Sequence, residues 1–277
     1  SLQAKINLGN GKQDVGTAIA FPSFLQNLFQ NQEALAIGVA AGKSSGTASF
    51  NATYDFIKAS FQANTLSGDW SFVHDGSNCQ WNGSTGSCPQ GRHEASYVQA
   101  GKYFVLIGGR EHGSNANLYD PSTGLWKEGA APPFNLHHYQ AVELDGLIYA
   151  VAGMTGSFPN EQPLSHIYIY DPLADAWHQG AEIPANRRRG SAGVVVYQDK
   201  IYVLGGIQQG HISGWVPWFD AYDPHTNTWT TLADAPRERD HFHALLANGK
   251  LYAAGGRKTG FSGVFGATIP EVDVYDF

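Results

Sequence analysis

Charge is scarce in this chain. Only 15% of its 277 residues are Asp, Glu, Lys or Arg, while 13% are aromatic. Disordered chains show the opposite balance, so a folded chain is expected. Basic residues are scarcer still, 17 against 24 acidic, for a net charge of −7. That is no general match for a nucleic-acid backbone, and no nucleic-acid partner is expected. Long apolar runs are missing as well. The longest uncharged apolar stretch is Ala34 to Gly42, whereas a membrane-spanning helix needs about 20 apolar residues, so no membrane span is expected.

Cysteine is nearly absent. Cys79 and Cys88 enclose eight residues within NCQWNGSTGSCPQG. This spacing matches no zinc pattern, and the preferred reading is a disulfide that staples a surface loop, with a metal or redox pair as the alternative. A disulfide implies an oxidising compartment, hence a secreted protein, extracellular or periplasmic. Sequons at Asn51-Ala52-Thr53 and Asn82-Gly83-Ser84 agree with secretion. The sequence shows no initiator Met and no signal peptide, as a processed mature chain would.

Glycine is abundant, 33 of 277 residues against a usual ~7%, which suits a turn-rich all-β protein. Internal periodicity then decides the fold. Tyr-Asp recurs at Tyr119, Tyr170, Tyr222 and Tyr275, in steps of 51, 52 and 53 residues. The first three are followed by Pro121, Pro172 or Pro224 and, seven residues beyond the tyrosine, by Trp126, Trp177 or Trp229. Upstream, Gly108-Gly109, Ala152-Gly153, Gly205-Gly206 and Gly255-Gly256 end the apolar runs YFVLIGG, IYAVAG, IYVLGG and LYAAGG. Turns such as Asp145-Gly146 and Asn248-Gly249 join each run to a preceding strand as a hairpin. Each unit therefore reads as four strands, a to d: b carries the glycine pair, c the Tyr-Asp, and d begins at the tryptophan. One such sheet cannot bury both faces alone and must stack on the next. The glycines are expected near a crowded axis, the Asp-Pro at the c–d turn and the tryptophan between neighbouring sheets.

This pattern resembles the kelch repeat family, over residues 91–277, and GRHEASY, PANRRRG and APRERDHFHA look like uncharacterised kelch proteins of bacterial type. The resemblance implies a β-propeller and leaves function open, since kelch propellers include enzymes, ligand-binding proteins and scaffolds. The expected fold is an all-β propeller of five blades, each of four antiparallel strands. Part of a six-bladed propeller is the alternative. One domain is expected over 1–277. Residues 1–13 would be the closing strand of the last blade, from the alternation of Leu2, Ala4, Ile6 and Leu8. A degenerate blade with the cysteine loop would fill 14–90, followed by repeats at 91–136, 137–187, 188–239 and 240–277.

A site is expected where strand a begins. Counting eleven and twelve residues from each tryptophan reaches His137 and His138, Arg188 and Arg189, and Asp240 and His241. The equivalent after the cysteine loop is Arg92, His93 and Glu94. Converging on an axis, these side chains would form a cationic ring at the channel mouth, partly offset by Glu94, Glu238 and Asp240. The long b–c loops on the same face add Trp215 and Trp218, suited to stacking on a sugar. The expected function is a secreted propeller that binds a carbohydrate or another small anionic or hydroxylated ligand. The alternatives are a sugar-acting propeller enzyme, mutarotase-like with Glu94 or Glu238 beside an arginine, or a protein-interaction scaffold with a protein partner. The copper-radical oxidase known among relatives of the kelch group needs a Tyr–Cys cross-link that the paired cysteines do not offer. A mononuclear metal site from His93, His137, His138, His241 and His243 has no compact motif behind it. No metal and no cofactor are expected.

Overall fold

The computed structural model describes residues 2–7, 12–19, 80, 81, 84, 85, 89, 91–110, 115–260 and 267–277, the ones before 89 as backbone only. Apolar alternation and short turns produce four successive antiparallel sheets, here blades I to IV. Blade I pairs Ser96–Ala100, Tyr103–Ile107, Asn117–Asp120 and Leu125–Glu128 in that order. Blade II pairs Val142–Leu144, Leu147–Ala150, His166–Asp171 and Ala176–Glu182. Blade III pairs Gly193–Tyr197, Lys200–Leu204, Phe219–Asp223 and Thr228–Thr231. Blade IV has three described strands, Ala244–Ala247, Lys250–Ala253 and Asp273–Asp276. These are the a, b, c and d strands of the sequence repeat, in chain order within each sheet. Among the described residues the only helical turn is the short 3-10 segment Ala185–Arg187.

The blades stack face on face. One apolar cluster joins blades I and II through Val105, Ile107 and Leu118 against Tyr139, Ile148 and Tyr170. A second joins II and III, and a third joins III and IV around Phe219, Phe242 and Leu251. The repeat residues act as local fasteners. Trp177 packs on the first cluster and donates its indole N–H to Ala130 O of blade I at 3.0 Å. Trp229 repeats this towards Glu182 O of blade II, also at 3.0 Å. Asp171 and Asp223 accept backbone N–H groups two and three residues on, which closes the c–d turns.

The glycine pairs follow strand b, the second strand of each blade. Gly205 and Gly206 have φ of +67° and +111°, and a Cβ on Gly205 would lie 2.6 Å from Arg239 O of the next blade. Gly206 instead donates its N–H to that same carbonyl at 2.7 Å, and Gly109 does the same to Leu136 O at 2.8 Å. The pair is thus needed for left-handed backbone and for close approach of the neighbouring blade.

By its packing the chain divides into two units, Ser1–Gly68 and Asp69–Phe277. In the first, Leu2–Asn7 and Lys12–Ile19 form one antiparallel hairpin. The second also holds a short hairpin of Gln80–Trp81 with Ser84–Thr85. Cys79 and Cys88, their expected disulfide and most of the expected blade over 14–90 lie outside the described residues.

Candidate functional site

The residue that opens each strand a adopts a left-handed conformation. Glu94, His138, Ser191 and His241 have φ of 57°, 57°, 54° and 52°. A hydrogen-bonded chain links them across the blades: His138 N donates to Glu94 O at 3.0 Å, Ser191 N to His138 O at 2.9 Å and His241 N to Ser191 O at 2.9 Å. Four non-glycine residues in αL at one register are held there by this lacing. Three of the four side chains, those of Glu94, His138 and His241, are brought to one place.

This register corrects the expected ring. The tryptophan count succeeds in blades II and IV, where it reaches His138 and His241. In blade III it falls short, because the 3-10 turn Ala185–Arg187 lengthens the d–a connection and puts Ser191, not Arg188 or Arg189, at the ring position. The glycine pair is the better ruler: Glu94, His138, Ser191 and His241 all stand fourteen residues before Gly108, Ala152, Gly205 and Gly255.

At the centre, Glu94, His138, His211 and His241 bring their side-chain donor atoms within 4.8 Å of one another. The three imidazoles form a triangle with ring centroids 4.9 to 5.0 Å apart. His211 comes from the b–c loop of blade III, between Ile207–Gln209 and Ser213–Trp215, and supplies the imidazole that Ser191 lacks. It was not singled out from sequence; it has no equivalent in the other repeats, and only the length of its loop hinted at it.

Each imidazole is backed through Nδ1. His138 Nδ1 lies 2.6 Å from His137 Nδ1, and His137 Nε2 lies 3.0 Å from Gly156 O. His211 Nδ1 lies 2.9 Å from Glu161 Oε1. His241 Nδ1 meets Asp240 Oδ1, which also accepts from the Thr259 hydroxyl at 2.5 Å. Arg110 bridges Glu94 and Glu161. Burial opposes ionisation of Glu94, but His138, Arg110 and His93 outweigh it and hold its carboxyl at about 2. Burial pushes His138 down to about 4 against the pull of Glu94, and lowers His241 against that of Asp240. Burial thus disfavours the charged form of both rings, and the cluster combines imidazole nitrogens with carboxylates.

The other expected residues sit elsewhere. Arg92 donates to Gly108 O and Asn115 O at 3.2 and 3.0 Å. Arg189 is 2% exposed and bonds Gly205 O, Val203 O and Asp220. Both satisfy carbonyls inside their own blades. Arg188 lies outside the cluster and pairs with Glu182 at 2.7 Å. Trp218 lies under the Arg187 guanidinium at 4.5 Å. Trp215 donates its indole N–H to Thr259 O at 2.6 Å and so stands one residue out from Asp240. His93 is exposed and 3.6 Å from Glu94, while Glu238 pairs with Lys258 at 2.7 Å.

Antiparallel blades stacked face on face and laced by the turns into strand a are the architecture of a β-propeller. Two of the repeats are of kelch type: the Kelch motif model matches residues 136–184 and 188–236. The chain is 34% identical over 199 residues to the Kelch-like protein terF of Aspergillus terreus, covering 65% of this chain and 43% of that protein. It is 27% identical over 158 residues to Kelch-like protein 41b of Danio rerio, covering 55% of this chain and 25% of that protein. The chain thus spans less than half the length of these relatives. The solved structure of YjhT shares the fold, with a TM-score of 0.55 at 18% identity, over 64% of this chain and 62% of that one.

Proposed function

We propose that the protein is a ligand-binding propeller that takes a small hydroxylated molecule, a carbohydrate among the candidates, at the channel mouth. The observation that carries this reading is the convergence of Glu94, His138, His211 and His241 at one point. Polar side chains gathered away from water are costly unless a partner satisfies them. Glu94, Glu161 and Asp240 beside Arg110 and the imidazoles do not make a cationic ring, so the anionic half of the expected ligand class loses its support. Carboxylates and imidazole nitrogens instead accept hydrogen bonds from hydroxyl groups. Phe158, 52% exposed with its ring 5.1 Å from His211, offers a stacking face beside them. A secreted location and a protein partner are further proposals. The first rests on the cysteine loop, and no surface is assigned to the second.

The test is calorimetric titration of a glycan and polyol panel against the wild type, His211→Ala and Arg188→Ala. A hydroxylated ligand should bind the wild type and Arg188→Ala alike and bind His211→Ala at least tenfold more weakly. A ligand indifferent to His211→Ala, or a panel with no binder, would sink the reading.

A further inference from the structure

We propose that Glu94, His138, His211 and His241 form a mononuclear site for a divalent first-row transition metal. Three imidazole Nε2 atoms and a Glu94 carboxylate oxygen would be its ligands. The inference deepens the reading of the channel mouth as the binding site and rests on it.

Proton accounting leads there. A neutral imidazole carries one N–H and one lone pair, and the tautomer follows from its partners. Gly156 O can only accept, and it lies 3.0 Å from His137 Nε2. That nitrogen therefore holds the proton of His137, whose Nδ1 keeps a lone pair. The lone pair faces His138 Nδ1 at 2.6 Å, so His138 Nδ1 must donate. His138 Nε2 is left as an acceptor, and it stands 2.7 Å from a second acceptor, Glu94 Oε1. Two lone pairs at that separation repel, so positive charge must lie between them: a proton, which makes the hydrogen bond to Glu94, or a metal ion that displaces it.

The other two rings give the same answer. Glu161 and Asp240 are carboxylates that accept from His211 Nδ1 and His241 Nδ1. Both Nε2 atoms are then bare acceptors. Nε2 of His138 and of His241 are buried with no hydrogen-bond partner, and His138 and His211 are each only 4% exposed. Three imidazole nitrogens and a carboxylate oxygen converging within 4.8 Å, each ring held through its other nitrogen, are what a metal ion requires, and its binding would release any proton held there.

The surroundings have the form that metal-binding histidines need. Each Nδ1 is held by a neighbour, which sets ring orientation and tautomer and raises the basicity of Nε2. Arg110 Nε, 2.7 Å from Glu94 Oε2, steadies the second carboxylate oxygen. The αL backbone and its lacing place Glu94, His138 and His241 without dependence on flexible loops. A set of three imidazoles and one carboxylate suits zinc, copper, nickel or iron, whereas calcium and magnesium prefer oxygen throughout.

The experiment uses the full chain, treated with EDTA and dialysed, then titrated with Co2+ by visible absorption and with Zn2+ and Ca2+ by calorimetry. One ion per chain is expected. Zn2+ and Co2+ should bind at least 100-fold more tightly than Ca2+, with cobalt d–d bands of a nitrogen-rich site. His211→Ala, on a loop, should weaken binding at least 100-fold. Glu161→Gln, which alters the backing of His211 and the Arg110 bridge to Glu94 without removing a ligand, should cost about 10- to 100-fold. His225→Ala, an exposed histidine of a c–d turn, should change nothing, and melting curves would show that each variant is folded. Absence of uptake, Ca2+ as tight as Zn2+, or binding indifferent to both His211→Ala and Glu161→Gln would overturn the site. Binding of a hydroxylated ligand by metal-free protein without metal uptake would remove the metal and leave the ligand reading standing. Metal uptake with no binder in the glycan panel would do the reverse.

Discussion

At the scale of the residue, arginine in this repeat is a structural part. Two positions before each ring residue stand Arg92, Leu136, Arg189 and Arg239. Opposite them, two positions before each repeat tyrosine, stand Asn117, Tyr168, Asp220 and Asp273. Arg189 meets Asp220 at 2.7 Å and Arg239 meets Asp273 at 2.6 Å, each guanidinium also capping carbonyls at the end of strand b. Where the arginine is lost, so is the acid: Leu136 and Tyr168 replace the pair and both join the core. Exchanging both partners avoids the cost of one buried charge left alone. Arg189→Ala is therefore expected to lower unfolding free energy by about 3–5 kcal/mol. Arg188→Ala, whose ion pair lies at the surface, should change it by less than about 1 kcal/mol. Urea unfolding of the two variants decides the matter, and equal small losses would contradict the structural role.

At the scale of the element, the innermost strands are tied together by one side chain. Gln140 Oε1 accepts from Val194 N and Ala244 N at 2.9 and 2.8 Å, and its Nε2 donates to Ala244 O at 2.8 Å. One glutamine before blade II thus closes the backbone ends of strand a in blades III and IV, where no sheet partner reaches them. Gln140→Leu should leave these groups unpaired, on the order of 1–3 kcal/mol for each that stays buried. Thermal unfolding would register the loss, and hydrogen exchange should speed up at Val194 and Ala244. Unchanged exchange at those two amides would show that the ties are dispensable.

At the scale of the whole molecule, the question is how the stack of blades ends. Asp273–Asp276 is the outermost described strand of blade IV, and it pairs on one side with Lys250–Ala253. Leu2–Asn7 uses one edge on Lys12–Ile19. Closure of a five-bladed ring, which we propose from the alternation of Leu2, Ala4, Ile6 and Leu8, would need the other edge of each. Deleting residues 1–9 should then cost several kcal/mol, as the loss of a strand's buried apolar side chains does. A melting temperature shifted by no more than a degree or two would refute that closure.

Periodicity in the chain was enough to determine the blades. Tyr-Asp closes a turn, the tryptophan caps a neighbour's carbonyl, and the glycine pair admits a neighbour's backbone. Such local roles leave a mark at fixed spacing. His138, His241 and Glu94 were legible for the same reason, since they share one register. The arginines misled because a side chain's direction is not written in its spacing. Arg92 and Arg189 turn back into their own blades to satisfy carbonyls that only the folded sheet leaves unpaired. His211 was invisible because it reaches the cluster along a loop with no periodic counterpart. The choice between a cationic ring and a set of bare nitrogens was made only in three dimensions. It depends on which atom faces Gly156 O, Glu161 and Asp240, and those contacts join residues up to 50 positions apart.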